Sequence, residues 1–132
     1  MTGAAGRCLC GAVRFAYDGP PIWVRHCHCE SCRRACSAPV VTFVAVADGA
    51  WRWTGEAPVA YRSSPEVERT FCGRCGSPMS YRWDGLPEEM HFYAAAHDAP
   101  EALTPAGHDF HDERLPWLRL DDDLPKHEGG SS

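Results

Sequence analysis

Eight cysteines in 132 residues carry most of the chemistry this sequence can do. They stand at short spacings: Cys8-Leu9-Cys10, the run Cys27-His28-Cys29-Glu30-Ser31-Cys32 with Cys36 four residues on, and Cys72-Gly73-Arg74-Cys75. Thiolates offered in close pairs from tight turns are how proteins assemble a tetrahedral zinc site, and the turn's backbone N–H groups point at the sulfurs. The eight divide into four and four, for two zinc ions. Cys8, Cys10, Cys72 and Cys75 complete one closed shell, which reads as structural. Cys27, Cys29 and Cys32 place three thiolates on a second ion from one loop. Three protein ligands leave a fourth position for water or substrate, the mark of a catalytic zinc, whereas four close the shell. Cys36 is near enough to be that fourth ligand, and spacing alone leaves both arrangements open. Gly73 and Gly76 are the residues expected to supply positive φ around Cys72 and Cys75.

Charge around the central run fits either arrangement. Arg25, Arg33 and Arg34 can offset the negative charge of a zinc–thiolate centre, and Arg33 and Arg34 are candidate ligands for substrate carboxylates. His26 and His28 alternate with Cys27 in what reads as extended chain, so their rings should point away from the face that presents Cys27 and Cys29. His91, His97, His108 and His111 have no metal-ligand spacing of their own and read as surface or hydrogen-bonded residues.

A net charge of −5, with acids at Asp121, Asp122 and Asp123, argues against a nucleic-acid partner, because phosphate binding needs an excess of basic side chains. The acidic run reads as a solvated face. The opening MTGAAGRCLC has no apolar stretch of the kind a signal peptide needs, and no window has the length and apolarity of a membrane helix. The expected compartment is therefore cytoplasmic. Reducing conditions there favour metal ligation over disulfides.

The elements that must position these residues are mostly strands. Segments rich in aromatic and β-branched residues recur at 12–17, 21–26, 39–46, 50–54, 58–63, 67–72, 79–83 and 90–96. Turn signals such as Asp48-Gly49 and Asp84-Gly85-Leu86-Pro87 separate them. Val13, Phe15 and Tyr17 alternate with Arg14, and Trp51 and Trp53 flank Arg52, so these strands should have one wet face in antiparallel sheets. Helical periodicity is scarce, with 100–106 the best place for a short helical turn. One domain over 1–132 is expected, with disorder at 1–5 and 127–132. Most tryptophans read as core, and Trp117 as the anchor of the C-terminal segment on the sheet.

Taken together, GRCLCGAVRF, CHCESCRR, TFCGRCGSPMSYR and HDERLPWL resemble the glutathione-dependent formaldehyde-activating family, which includes centromere protein V. The resemblance runs in order from about Gly6 to Pro125. It implies an Mss4-like fold of several small curled antiparallel sheets pinned by zinc. Carried over residue by residue, the family's structural site falls on Cys8, Cys10, Cys72 and Cys75, and its catalytic-type site on Cys27, Cys29 and Cys32. The implied activity is that of a carbon–sulfur lyase acting on a thiol–aldehyde adduct of the S-hydroxymethylglutathione type, with a small thiol such as glutathione as partner. At Ala35-Cys36-Ser37 the sequence departs from the family, where a small residue, Ser or Thr, and then Gly are commoner. The alternative is a non-catalytic zinc-stabilised binding or scaffold module whose second site is closed by Cys36.

Overall fold

Period-two alternation of large apolar and charged residues produces the strands, and the computed structural model, which describes residues 3–130, shows ten of them. They are β1 (Gly3–Arg7), β2 (Arg14–Asp18), β3 (Trp23–Cys27), β4 (Val41–Ala47), β5 (Trp51–Trp53), β6 (Val59–Ser64), β7 (Val67–Phe71), β8 (Pro78–Trp83), β9 (Glu89–Tyr93) and β10 (His108–Asp109). One α-helix, α1 (Glu30–Cys36), follows β3. The strands form a three-stranded sheet, β1-β2-β5, and a seven-stranded sheet, β10-β3-β4-β9-β8-β7-β6. Every pairing is antiparallel except that of the two-residue β10, which runs parallel to β3 and sets Asp109 opposite Cys27. No helix among the described residues is long and apolar enough to cross a membrane.

The main core lies where the two sheets meet. Phe15 and Tyr17 of β2 are almost wholly buried and stack with Phe92 of β9, the Phe15 and Phe92 centroids 4.1 Å apart. Val44, Val46, Met79 and Met90 complete it, and Trp51 and Trp53 pack against it. Aromatic rings of this size dominate the burial in a small domain. A second apolar cluster, with Cys27, Cys32, Phe43 and Tyr93, forms around the cysteine run.

Three expectations need correction. Residues 3–5 are not disordered: β1 pairs with β2 along its whole length, and Gly6 is pressed so close to Phe15 that an added Cβ would meet its ring at 2.3 Å. Residues 127–129 are tied back to β10, through His127 N–H to the His108 carbonyl at 2.8 Å and Phe110 N–H to the Gly129 carbonyl at 2.9 Å. Met1, Thr2, Ser131 and Ser132 lie outside the described residues. Trp117 is 70% exposed and so is not the anchor of the C-terminal segment on the sheet. The C-terminal segment is held instead by its backbone bonds to β10 and by Asp122. The helical turn expected at 100–106 is one 3-10 turn, Pro100–Ala102.

Candidate metal centres

The β1–β2 turn carries Cys8 and Cys10, and the β7–β8 turn carries Cys72 and Cys75, so the first centre bridges the two sheets. Its four sulfurs lie within 4.8 Å of one another. Cys8 Sγ to Cys10 Sγ is 3.6 Å and Cys10 Sγ to Cys72 Sγ is 3.8 Å. A tetrahedron with Zn–S bonds of about 2.3 Å has edges of about 3.8 Å, so these sulfurs are spaced for an ion and are far too distant for disulfides. Backbone N–H groups donate to the sulfurs: Val13 N to Cys8 Sγ at 3.3 Å, and Arg74 N and Cys75 N to Cys72 Sγ at 3.3 and 3.4 Å. The Ser77 hydroxyl beside Cys75 Sγ, 3.2 Å away, holds that thiol down to about 5. Gly76, at φ 80°, turns the second knuckle as expected, whereas Gly73 has no positive φ; the equivalent turn on the first knuckle is made by Gly11, at φ 83°.

The second centre is built from six consecutive positions in three conformations. Cys27 ends β3, Cys29 is the N-cap of α1, and Cys32 lies in the helix. Their sulfurs also lie within 4.8 Å of one another. Cys29 Sγ accepts from Cys32 N–H at 3.3 Å, an N-cap bond made by sulfur. Hydrogen bonds from Cys27 and Cys32 bring Cys29 down to about 2, with the Cys32 N–H and the Arg69 charge acting the same way. The same contacts push Cys27 up, so negative charge settles first on Cys29. Donors, spacing and a cation at hand fit a thiolate-held zinc ion.

Cys36 does not join this group. It sits one helical turn beyond Cys32, an axial rise of about 6 Å. Its thiol hydrogen-bonds to Tyr93, and it borders a different cavity, shared with Tyr93, Val41 and His26. The spacing of the sequence left Cys36 within reach, but its sulfur stands outside the group that Cys27, Cys29 and Cys32 form.

Cys27, Cys29 and Cys32 open onto a cavity of about 420 Å³ with aromatic walls that include Trp23, Phe43, Tyr81 and Phe110. Trp23, Arg25 and Cys27 alternate along β3, so all three face it, while His26 and His28 point to the other side, as expected. Three buried donors that line it, Trp23 Nε1, Arg25 Nη1 and Arg69 Nη1, have no hydrogen-bond partner among the described residues. Arg25 Nη1 lies 3.8 Å from Asp109 Oδ2, an ion pair beyond hydrogen-bond length. Arg69 Nη2 donates to Ser31 Oγ at 3.0 Å and to Cys32 Sγ at 3.7 Å, its Nε donates to Ser63 Oγ, and its guanidinium lies 4.9 Å from the Tyr81 ring centroid. Burial pushes the Tyr81 phenol up to about 12, which keeps it protonated at neutral pH.

Arg33 and Arg34, the expected substrate ligands, do not line this cavity. Arg33 donates to the carbonyls of His28 and Glu113, and Arg34 makes an exposed pair with Glu30 at 2.8 Å. Helix α1 turns both away from the sulfurs. Arg69 is the cation the sequence hides, because nothing in VERTF signals that β7 passes beside Cys32. Arg25 was readable, since period two places it with Cys27.

Known proteins resemble the chain over the same regions. The family model described as glutathione-dependent formaldehyde-activating enzyme matches residues 3–113. An uncharacterized lyase of Schizosaccharomyces pombe (strain 972 / ATCC 24843) is 32% identical over 78 residues, which are 59% of this chain and 56% of that protein. The chain thus spans little more than half the length of this curated relative. A crystal structure of a Rhodobacter sphaeroides protein is similar with a TM-score of 0.60 at 20% identity, over 93% of this chain and 99% of that one, a likeness of fold.

Proposed function

Because the chain belongs to the glutathione-dependent formaldehyde-activating enzyme family, we propose that it is a zinc-dependent carbon–sulfur lyase-like enzyme acting on a thiol–aldehyde adduct, of which S-hydroxymethylglutathione is the type. The observation that carries the reading is the direction of the fourth cysteine. Cys27, Cys29 and Cys32 face the 420 Å³ cavity while Cys36 is engaged with Tyr93 outside it. The lyase name of the fission-yeast relative agrees with this reading. A closed Cys₄ scaffold would need the Cys36 sulfur to leave Tyr93 and join the other three.

Cys8, Cys10, Cys72 and Cys75 would hold a structural zinc, and Cys27, Cys29 and Cys32 a second one. Zinc at the second centre supplies an open position that lowers the pKa of an incoming thiol and polarises the adduct. The residues of the chain do the rest. Arg69 and Arg25 present guanidinium N–H groups to an anionic thiol such as glutathione, and Trp23 Nε1 adds a neutral donor. Apolar walls exclude water from the short-lived adduct. Tyr81 stays a proton donor at neutral pH and keeps Arg69 in place by stacking.

Cobalt-substituted protein tests the reading. Millimolar glutathione should perturb the thiolate charge-transfer and d–d bands, and the exchange of glutathione with formaldehyde should exceed the uncatalysed rate. An unchanged spectrum together with a background rate would overturn it.

A further inference from the structure

The face of β3 opposite the cysteine cavity carries a second set of ligating side chains. His26 and His28 project there and meet His108 of β10, whose ring centroid lies 4.9 Å from that of His26 and 5.1 Å from that of His28. His108 is 1% exposed, and its Nε2 stands 3.0 Å from both carboxylate oxygens of Asp122. One nitrogen each of His26 and His108 and one oxygen of Asp122 lie within 4.8 Å of one another. A tetrahedral ion with bonds of about 2.0 Å has ligand-to-ligand edges of about 3.3 Å, close to the His108–Asp122 separation.

The geometry points to a third metal site, formed by His26, His108 and Asp122, that takes one divalent first-row transition-metal ion of borderline softness. Two imidazoles and a carboxylate suit such ions and are poor ligands for calcium or magnesium. Each ring is already oriented by its other nitrogen, as metal-bound histidines are. His26 Nδ1 is 2.8 Å from Thr42 Oγ1, which leaves Nε2 for the ion, and His108 Nδ1 is 2.8 Å from His28 Nε2. The contact with His28 is compatible with this arrangement. His28 Nδ1 is buried without a hydrogen-bond partner among the described residues, and the residue is 3% exposed. Because Nδ1 is unpaired in either neutral tautomer, the chain also admits the one in which His28 Nε2 accepts from His108 Nδ1–H. That tautomer leaves a lone pair on His108 Nε2 directed at the Asp122 carboxylate, an arrangement that a cation between them stabilises. Lys126 Nζ, 4.0 Å from Asp122 Oδ1, is the cation nearest that carboxylate without the ion.

The site ties the C-terminal segment to the strand that presents Cys27. Asp109 pairs with Cys27 across β10 and β3, and His108 N–H donates to the Pro125 carbonyl at 2.8 Å. An ion on Asp122 braces this arrangement from behind and touches none of the eight cysteines. The inference does not depend on the catalytic reading.

The test uses the full chain with both cysteine centres loaded with zinc, titrated with Co²⁺. One further equivalent should bind with weak d–d absorption and no sulfur-to-cobalt charge-transfer band, and should raise the melting temperature. Asp122→Ala and His26→Gln, both at positions that are not fully buried, should each weaken that binding by more than about tenfold. The assignment is overturned if no further equivalent binds, if the extra ion shows a thiolate band, or if both variants bind it as tightly as the parent. The last result would leave His108–Asp122 a plain hydrogen bond.

Discussion

Replacing Cys36 by alanine separates an open second centre from a closed one, and the structure fixes the expected size of the effect. Cys36 is half-buried, hydrogen-bonds to Tyr93, and borders a cavity of about 840 Å³. Losing that bond costs about 1 kcal/mol, since the Tyr93 hydroxyl can turn to water in so large a space. For a chain of this length 1 kcal/mol lowers the melting temperature by roughly 3–5 °C. A true ligand behaves differently. Structural zinc contributes about 10–16 kcal/mol over four ligands, so removing one costs several kcal/mol or the ion itself. Cys36→Ala should keep two zinc ions per chain after dialysis against a weak chelator. Cys29→Ala should lose one, and with it the N-cap of α1. Metal analysis alongside thermal melting decides the matter, and loss of one zinc from Cys36→Ala would refute the reasoning.

Arg69→Met should weaken binding of an anionic thiol roughly tenfold to a hundredfold, the worth of a hydrogen bond to a charged group, while Arg33→Ala and Arg34→Ala leave it unchanged; calorimetric titration with glutathione compares them. Phe15→Ala, at the centre of the stack with Phe92, should destabilise the fold by about 3–5 kcal/mol in urea unfolding. Burial lowers the pKa of His97, whose ring meets Tyr17 Oη at 2.8 Å, and of His91. The unfolded chain therefore takes up these protons first as pH falls. Stability from this source is complete above about 6.5 and declines below it toward the lower folded values. Urea midpoints between pH 7.5 and 5.5 should fall accordingly, and His97→Gln should flatten the slope; an unaltered slope in that variant would remove His97 from the account.

Much of the fold was legible because single-face burial writes itself into alternation. Val13, Phe15 and Tyr17 are all buried and Arg14 is exposed, as period two requires. The grouping of Cys8 and Cys10 with Cys72 and Cys75, and of Cys27 and Cys29 with Cys32, was legible for a related reason, since zinc knuckles are local and their spacing is stereotyped, whereas the place of Cys36 was not. What stayed hidden depended on neighbours distant in sequence. β1 is Gly-Ala-Ala-Gly-Arg, without a β-forming residue, and is a strand only because β2 pairs with it and Phe15 covers Gly6. Helix α1 is short and largely polar, and its one sign, Glu30 in the first turn with Arg33 and Arg34 in the last, is outweighed by the strand pattern leading into it. An extended loop would hold Arg33 and Arg34 beside the sulfurs where the helix turns them away, and spacing alone does not show that the Cys36 sulfur stands apart. Asp122, read as part of a solvated face, meets His108 through a loop return that no spacing encodes.

The two cysteine centres differ in how much chain must exist before each can form. Cys27, Cys29 and Cys32 come from six consecutive positions, whereas Cys8 and Cys10 must wait for Cys72 and Cys75. During synthesis at about 5–20 residues per second, the 43 residues from Arg33 to Cys75 take roughly 2–9 s to add. In that interval the compact triad can already compete for metal while the long-range clamp does not yet exist. Metal loading would then follow an order, the local triad first and the clamp between the two sheets last. A chain starved of metal late in synthesis would emerge with the local triad loaded and the clamp between its sheets open.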